Sequence, residues 1–203
     1  MGGRGSYSHS SSLNTIKVSD NGNTGIHADR ASFTPEQYEM FKSYIEDKGG
    51  DGHNGPVAEL RRWQNGEDLG KEKNAYYEKM DDLIEGFIVE NAAPNGEIYR
   101  GIRISDKDLK RYSKIGAEFD QKGTSSWSKD KFDASYFSMR NDIAQPNNVL
   151  FVIRNSRKAA DVSVLNSSEM ELWQSKSQMF RTVGYEVDTF MSTKQHVIYL
   201  EEV

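Results

Sequence analysis

The chain has no cysteine among its 203 residues, which excludes disulfides, thiolate nucleophiles and thiolate metal sites together. Histidine is scarce, and His9, His27, His53 and His196 share no ligand spacing, so no metal is expected. Long apolar runs are missing too. The stretch 149–153 is among the longest, far short of the ~20 residues that cross a bilayer, so no membrane association is expected. The opening MGGRGSYSHSSS lacks an apolar core after its single arginine, so no classical secretory signal is expected. Positive charge is in deficit, with 26 Lys and Arg against 31 Asp and Glu, a net charge of -5 and a pI near 5.5. A general nucleic-acid binder carries a basic footprint, so nucleic-acid binding is not expected. Together these absences suggest a soluble, cytoplasmic protein, acting in its own cell or in one into which it is delivered.

What is present is a supply of core anchors: 10 Tyr, 9 Phe and 3 Trp. Residues 1–31 are rich in Gly, Ser and Asn and read as a flexible arm. A single domain is expected over 32–203. Its first start signal is Thr34-Pro35-Glu36-Gln37, where Thr34 caps a helix, Pro35 takes the first helical position and Gln37 completes a capping box. Tyr38, Phe41, Tyr44 and Ile45 then mark one apolar face. The glycine-rich stretch 49–55 breaks this helix. Asp47, Asp51 and Asn54 faintly resemble a calcium loop, but Gly49 and Ala58 stand where ligands belong, so a turn is the reading. Further helices are expected over 56–65 and 72–90, their aromatics packing inward. Thus 32–93 forms a helical lobe.

Beyond Pro94-Asn95-Gly96 the periodicity shortens. Strands are expected over 97–104, 117–119, 124–127, 149–154, 171–173, 179–187 and 196–201, with helices over 106–112 and 130–140. Helices followed by many short strands indicate an α+β fold, a helical lobe packed on an antiparallel-rich sheet over 94–203.

Three segments carry chemistry. Ile98-Tyr99-Arg100-Gly101 places a phosphate-binding side chain on a strand beside a glycine that lets a ligand approach the backbone. Gly123-Thr124-Ser125-Ser126-Trp127-Ser128 puts the Ser126 and Ser128 hydroxyls on one strand face and Trp127 on the other. Those hydroxyls suit a ligand, or equally a strand edge leading into a helix capped by Ser128. Glu169-Met170-Glu171 sets two carboxylates on one face, where like charges are unfavourable unless something uses them.

In this order, Tyr-Arg-Gly, Ser-x-Ser with Ala134 six residues on, then Glu-x-Glu-Leu leading to Met179-Phe180-Arg181-Thr182-Val183, the chain resembles the arginine–serine–glutamate class of mono-ADP-ribosyltransferases. That class includes clostridial binary and C3-like toxins, bacterial effectors and phage enzymes. The resemblance covers about residues 97–201; the middle Thr of the family's Ser-Thr-Ser is Trp127 here, and Ser125 offers an alternative register shifted by one. It implies a split β-sandwich of the ADP-ribosyltransferase type, with NAD as substrate and no metal. Arg100 matches the NAD-binding arginine, Ser126 the first serine, Glu171 the catalytic glutamate and Glu169 the residue that positions the acceptor.

From this resemblance follow the expected roles. Glu171 offsets oxocarbenium charge at the ribose. Arg100 clamps the dinucleotide, and the Gly101 backbone meets the nicotinamide amide. Ser126 holds Glu171 by a hydrogen bond, with Ser128 a weaker candidate. Tyr99 belongs to the same cofactor-binding segment. Phe137 or Tyr136 stacks on nicotinamide, and Arg140 adds a phosphate contact. A Glu at 169 implies an arginine acceptor on a target protein. The competing expectations are an NAD glycohydrolase using the same site, and a non-catalytic phage-associated module of this fold, which the Gly/Ser-rich residues 1–14 keep open.

Overall fold

The capping box at the start of the first helix closes as the spacing implies. Gln37 N donates to Thr34 Oγ1 (3.1 Å), and Thr34 N donates to Gln37 Oε1 (2.9 Å). This is a computed structural model that describes residues 26–27, 32–46, 55–139, 145–165 and 170–203. The calcium-loop resemblance, Arg140 and Glu169 lie outside the described residues. A two-stranded ladder, β1 (Ile26–His27) with β2 (Ser32–Phe33), leads into α1 (Pro35–Glu46). Two further helices follow, α2 (Pro56–Gln64) and α3 (Lys71–Asn91).

These helices bury one aromatic-rich face. Phe33 stacks on Phe87, while Phe41 meets Phe87 and Trp173 edge-on. Leu60, Met80 and Ile84 complete the cluster, and Ala160, Val162 and Trp173 carry it onto the sheet. The helical lobe is therefore docked on the sheet through Trp173, a residue of the strand that also carries Glu171.

The remaining elements are β3 (Ala92–Ala93), β4 (Gly96–Ile104), α4 (Asp106–Tyr112), β5 (Glu118–Asp120), β6 (Ser125–Ser128) and α5 (Lys131–Phe137). After them come β7 (Asn147–Ser156), β8 (Ala159–Asp161), β9 (Glu171–Gln174), β10 (Met179–Phe190) and β11 (Thr193–Glu202). The sheet order is β3-β8-β9-β6-β4-β7-β11-β10-β5, and every pair is antiparallel except β7 with β11. This is the α+β, antiparallel-rich architecture expected.

The sheet has a seam. β4 and β6 share a single registered pair, Tyr99 with Ser128, whereas β4 and β7 pair over most of their lengths. On the two sides of this seam, Trp127 and Leu172 from one half meet Ile98, Phe151, Phe180 and Ile198 from the other in one core, and the Trp127 and Phe180 rings lie 5.7 Å apart. The halves thus face each other as a split sandwich, and the ladder opens where they diverge. On the opposite face, α5 covers Leu150, Val152 and Val197 through Ala134.

Some expectations need correction. The helix after Ser-x-Ser is capped by Asp130, whose Oδ1 accepts from Phe132 N (2.7 Å) and Asp133 N (3.1 Å), and not by Ser128. Ser128 Oγ instead accepts from Asp130 N (2.9 Å), tying the strand end to the cap. The strand expected over 171–173 runs one residue further, because Gln174 still pairs with Ser125. Strands β3 and β8 were not expected; both are short and alanine-rich, with little strand propensity to show.

Candidate active site

At the seam lies a cleft of about 590 Å³. Its lining joins both halves of the sheet to the helical lobe: Arg100 and Gly101 from β4, Ser126 and Ser128 from β6, Phe137 from α5 and Glu171 from β9. Tyr99 lines it as well. The three motifs, separated by dozens of residues, therefore open onto one hollow. Tyr136 is not among the lining residues; it lies 59% exposed on the outer side of α5.

Each side chain is set by local geometry. Ile98, Ile102 and Ile104 turn one face of β4 to the core, and Arg100, in the same alternation, lies on that face at the seam. Its Nη1 donates to the Ser126 carbonyl (2.5 Å), bridging the gap where the ladder stops. Its Nε is shut off from solvent and has no hydrogen-bond partner among the described residues, a donor in need of an acceptor. Burial, together with the neighbouring Arg61, lowers the Arg100 pKa to about 9, while Tyr44 and Glu171 favour the charged form. A desolvated guanidinium beside a second cation is a site prepared for an anion.

Glu171 opens β9 immediately after Met170, whose φ of 48° turns the chain in the left-handed region. Lys129 N donates to Met170 O (3.3 Å), and Val162 N donates to Glu171 O (3.0 Å), so the backbone is held on both sides. The side chain is only 7% exposed. Its Oε1 accepts from Trp173 Nε1 (2.8 Å).

That bond departs from expectation. In the strand register Ser126 stands opposite Trp173, and Ser128 stands opposite Glu171. Among the described residues no hydrogen bond joins Ser126 Oγ to Glu171, and one donor that orients the carboxylate is the Trp173 indole. The contribution of Ser126 to the site is its carbonyl, which receives Arg100.

Gly101 lines the cleft and also has a packing role. A Cβ built there would sit 1.6 Å from the Ala134 carbonyl oxygen and 2.9 Å from Ser138 N. The space beside it is taken by α5, so the missing side chain lets the helix press against β4. Ala134, six residues past Ser128, is the other half of this contact.

Tyr99 donates its hydroxyl to Glu97, and burial with this bond raises its pKa to about 12, so the phenol stays neutral. The helical lobe adds residues the motifs did not indicate. Tyr44, Ile45, Val57 and Arg61 complete the wall. Val57 and Arg61 are one helical turn apart on α2, and an arginine following an inward valine was the available signal. Among the described residues no group of His, Asp or Glu is placed to hold a metal.

No protein-family model and no curated protein matches the sequence. The fold is that of the bacterial mono-ADP-ribosyltransferases. Vis from Vibrio splendidus, in its complex with agmatine, matches with a TM-score of 0.66 at 16% identity, over 86% of this chain and 78% of that one. HopU1 of Pseudomonas syringae pv. Tomato DC3000 matches with a TM-score of 0.62 at 19% identity, over 84% and 77%. The toxin Plx2a of Paenibacillus larvae matches with a TM-score of 0.59 at 12% identity, over 84% and 87%. Identities this low establish the shared fold; the chemistry has to be argued from the cleft.

Proposed function

We propose that this protein is an NAD-dependent mono-ADP-ribosyltransferase that moves ADP-ribose from NAD to an arginine side chain of a target protein, releasing nicotinamide. The observation that carries the reading is the convergence of Arg100, Ser126 and Glu171, from three strands, on one cleft at the sheet seam. The unbonded, buried Arg100 Nε supplies an anion-seeking donor in that same hollow.

In the reaction the bond from the ribose anomeric carbon to the nicotinamide nitrogen breaks, and its electron pair leaves with neutral nicotinamide. A guanidine nitrogen of the acceptor bonds to the same carbon and sheds one proton to solvent. Between these events positive charge builds on the ribose. The Glu171 carboxylate, held in place by Trp173, opposes that charge and engages the ribose hydroxyls. Arg100 and Arg61 bind the pyrophosphate, and Phe137 offers an aromatic face to the nicotinamide. Glu169 is assigned to the acceptor, whose guanidinium a carboxylate binds bidentately. Agmatine, found with Vis, carries the same guanidinium group, which supports an arginine-type acceptor here.

The test is incubation with adenylate-labelled NAD, agmatine and total protein from bacterial and eukaryotic lysates. Label on protein, mapped by mass spectrometry to arginine, is the expected result. Label on another residue type overturns the acceptor, free ADP-ribose alone makes water the acceptor, and unconsumed NAD overturns the activity.

A further inference from the structure

The outer side of α5 and the turn that joins β10 to β11 form one surface. Phe132 and Tyr136, one helical turn apart, are 57% and 59% exposed. The Phe132 ring meets Phe190 at the end of β10 edge-on, with centroids 5.4 Å apart. Met191, next in the chain, is 60% exposed. Single exposed apolar residues are ordinary, but three gathered around half-buried Phe190 mark a contact surface.

The turn beneath them is strained. Met191 and Ser192 have φ of 48° and 65°, the left-handed pair that a two-residue hairpin demands and that Asn-Gly supplies with least cost. A chain selected only for stability has no use for methionine there. Strain and exposed apolar area coincide on the same residue, a combination that persists where a local conformation serves function.

We propose that this surface docks the protein that the enzyme modifies, and that the docked face of the target is basic with apolar side chains among its cations. This rests on the transferase reading. The charge argument comes from the neighbouring residues. Glu186 and Asp188 share the Phe190 face of β10 and are exposed, and Asp130 and Asp133 begin α5. Against these four carboxylates the stretches 130–137 and 186–194 carry two cations, Lys131 and Lys194. The opposite side of α5 carries Ala134 and Phe137 into the cleft. A target seated on the outer side is thus about one helix width, ~10 Å, from the chemistry.

The test separates docking from catalysis by changing the acceptor. Variant M191N/S192G removes the methionine and relaxes the turn, and F132A removes an exposed ring whose ring contact is Phe190 of the same surface. Initial rates are measured with labelled NAD and either agmatine or lysate protein as acceptor. Expected are a melting temperature at or above wild type for M191N/S192G, agmatine labelling within twofold for both variants, and protein labelling reduced tenfold or more. Protein labelling at the wild-type rate overturns the surface. An equal loss on agmatine and protein also overturns it, since the effect is then on the site itself. Sedimentation showing a wild-type dimer that M191N/S192G dissociates would make this an interface between copies instead. Absence of transfer by wild type to either acceptor overturns the transferase reading, and this surface's role with it.

Discussion

Trp173 donates its indole N–H to Glu171 Oε1 at 2.8 Å, two residues along the same strand. The ring of Trp173 is wholly buried and meets both Phe41 and Tyr44 edge-on. The carboxylate assigned to the reaction is therefore held by a residue whose own position is set by the helical lobe. Trp173→Phe keeps most of the packing and deletes the donor. A hydrogen bond to a charged group contributes about 1.5–3 kcal/mol, so kcat should fall roughly tenfold or more. KM for NAD should stay within twofold and the melting temperature should hold, because the change falls on the orientation of the carboxylate and not on NAD binding or packing. A purely structural role would instead raise KM and lower the melting temperature.

Much of this arrangement could be read from residue patterns, and the part that could not has physical reasons. Thr34 and Gln37 announced the first helix because capping is local, and Ser105 Oγ caps α4 by an equally local contact, accepting from Asp108 N. Arg100, Ser126 and Glu171 were found by the order of their motifs, each being too short to mean much alone. Arg61 and Tyr44 were missed because a cleft-facing helix row has the same spacing as a core-facing one. The Trp173 bond was invisible since two residues apart on a strand share a face, yet nothing in the spacing says which side chains reach each other. The seam between β4 and β6 depends on tertiary pairing alone.

Gly101 offers a test of the packing beneath the cleft. A methyl group there would meet Ala134 O at 1.6 Å, with backbone on both sides that has no slack. Gly101→Ala must push α5 outward, which disturbs Ala134, Phe137 and the contact to Gln195 made by Ser135 and Ser138. Overpacking of this kind costs about 1–3 kcal/mol. The denaturation midpoint should drop accordingly and NAD binding should weaken together with it. A variant of unchanged stability would mean that α5 is not fixed against β4.

Arg100 links electrostatics to stability with a definite sign. Its pKa falls to about 9 in the folded protein, chiefly by burial. The folded state thus binds this proton less firmly than the unfolded chain does. At neutral pH the charge works against folding, and that penalty disappears as pH rises through about 9 toward the ordinary arginine range. Arg100→Met should leave the melting temperature of the free protein unchanged or raised at pH 7, even though the bond to Ser126 O, ~1 kcal/mol, is lost. NAD should raise the melting temperature of wild type and not of the variant. A fall of more than about 4 °C in the free variant would assign Arg100 to the fold, and undiminished NAD binding by calorimetry would remove it from the site.

The two glutamates should part company under the same conservative change. Glu171 lies in the cleft with Arg100 and is oriented by Trp173, so its charge bears on the step that both hydrolysis and transfer share, the loss of nicotinamide. Glu171→Gln keeps size and hydrogen bonding but loses the charge, and both activities should fall by a factor of about 10² or more. Glu169 is assigned only to the acceptor. Glu169→Gln should abolish transfer to arginine while NAD hydrolysis, followed as nicotinamide release, stays largely intact. Loss of both activities in Glu169→Gln would erase the division of labour, and near-normal turnover in Glu171→Gln would end the mechanism, because no other carboxylate lines the cleft among the described residues.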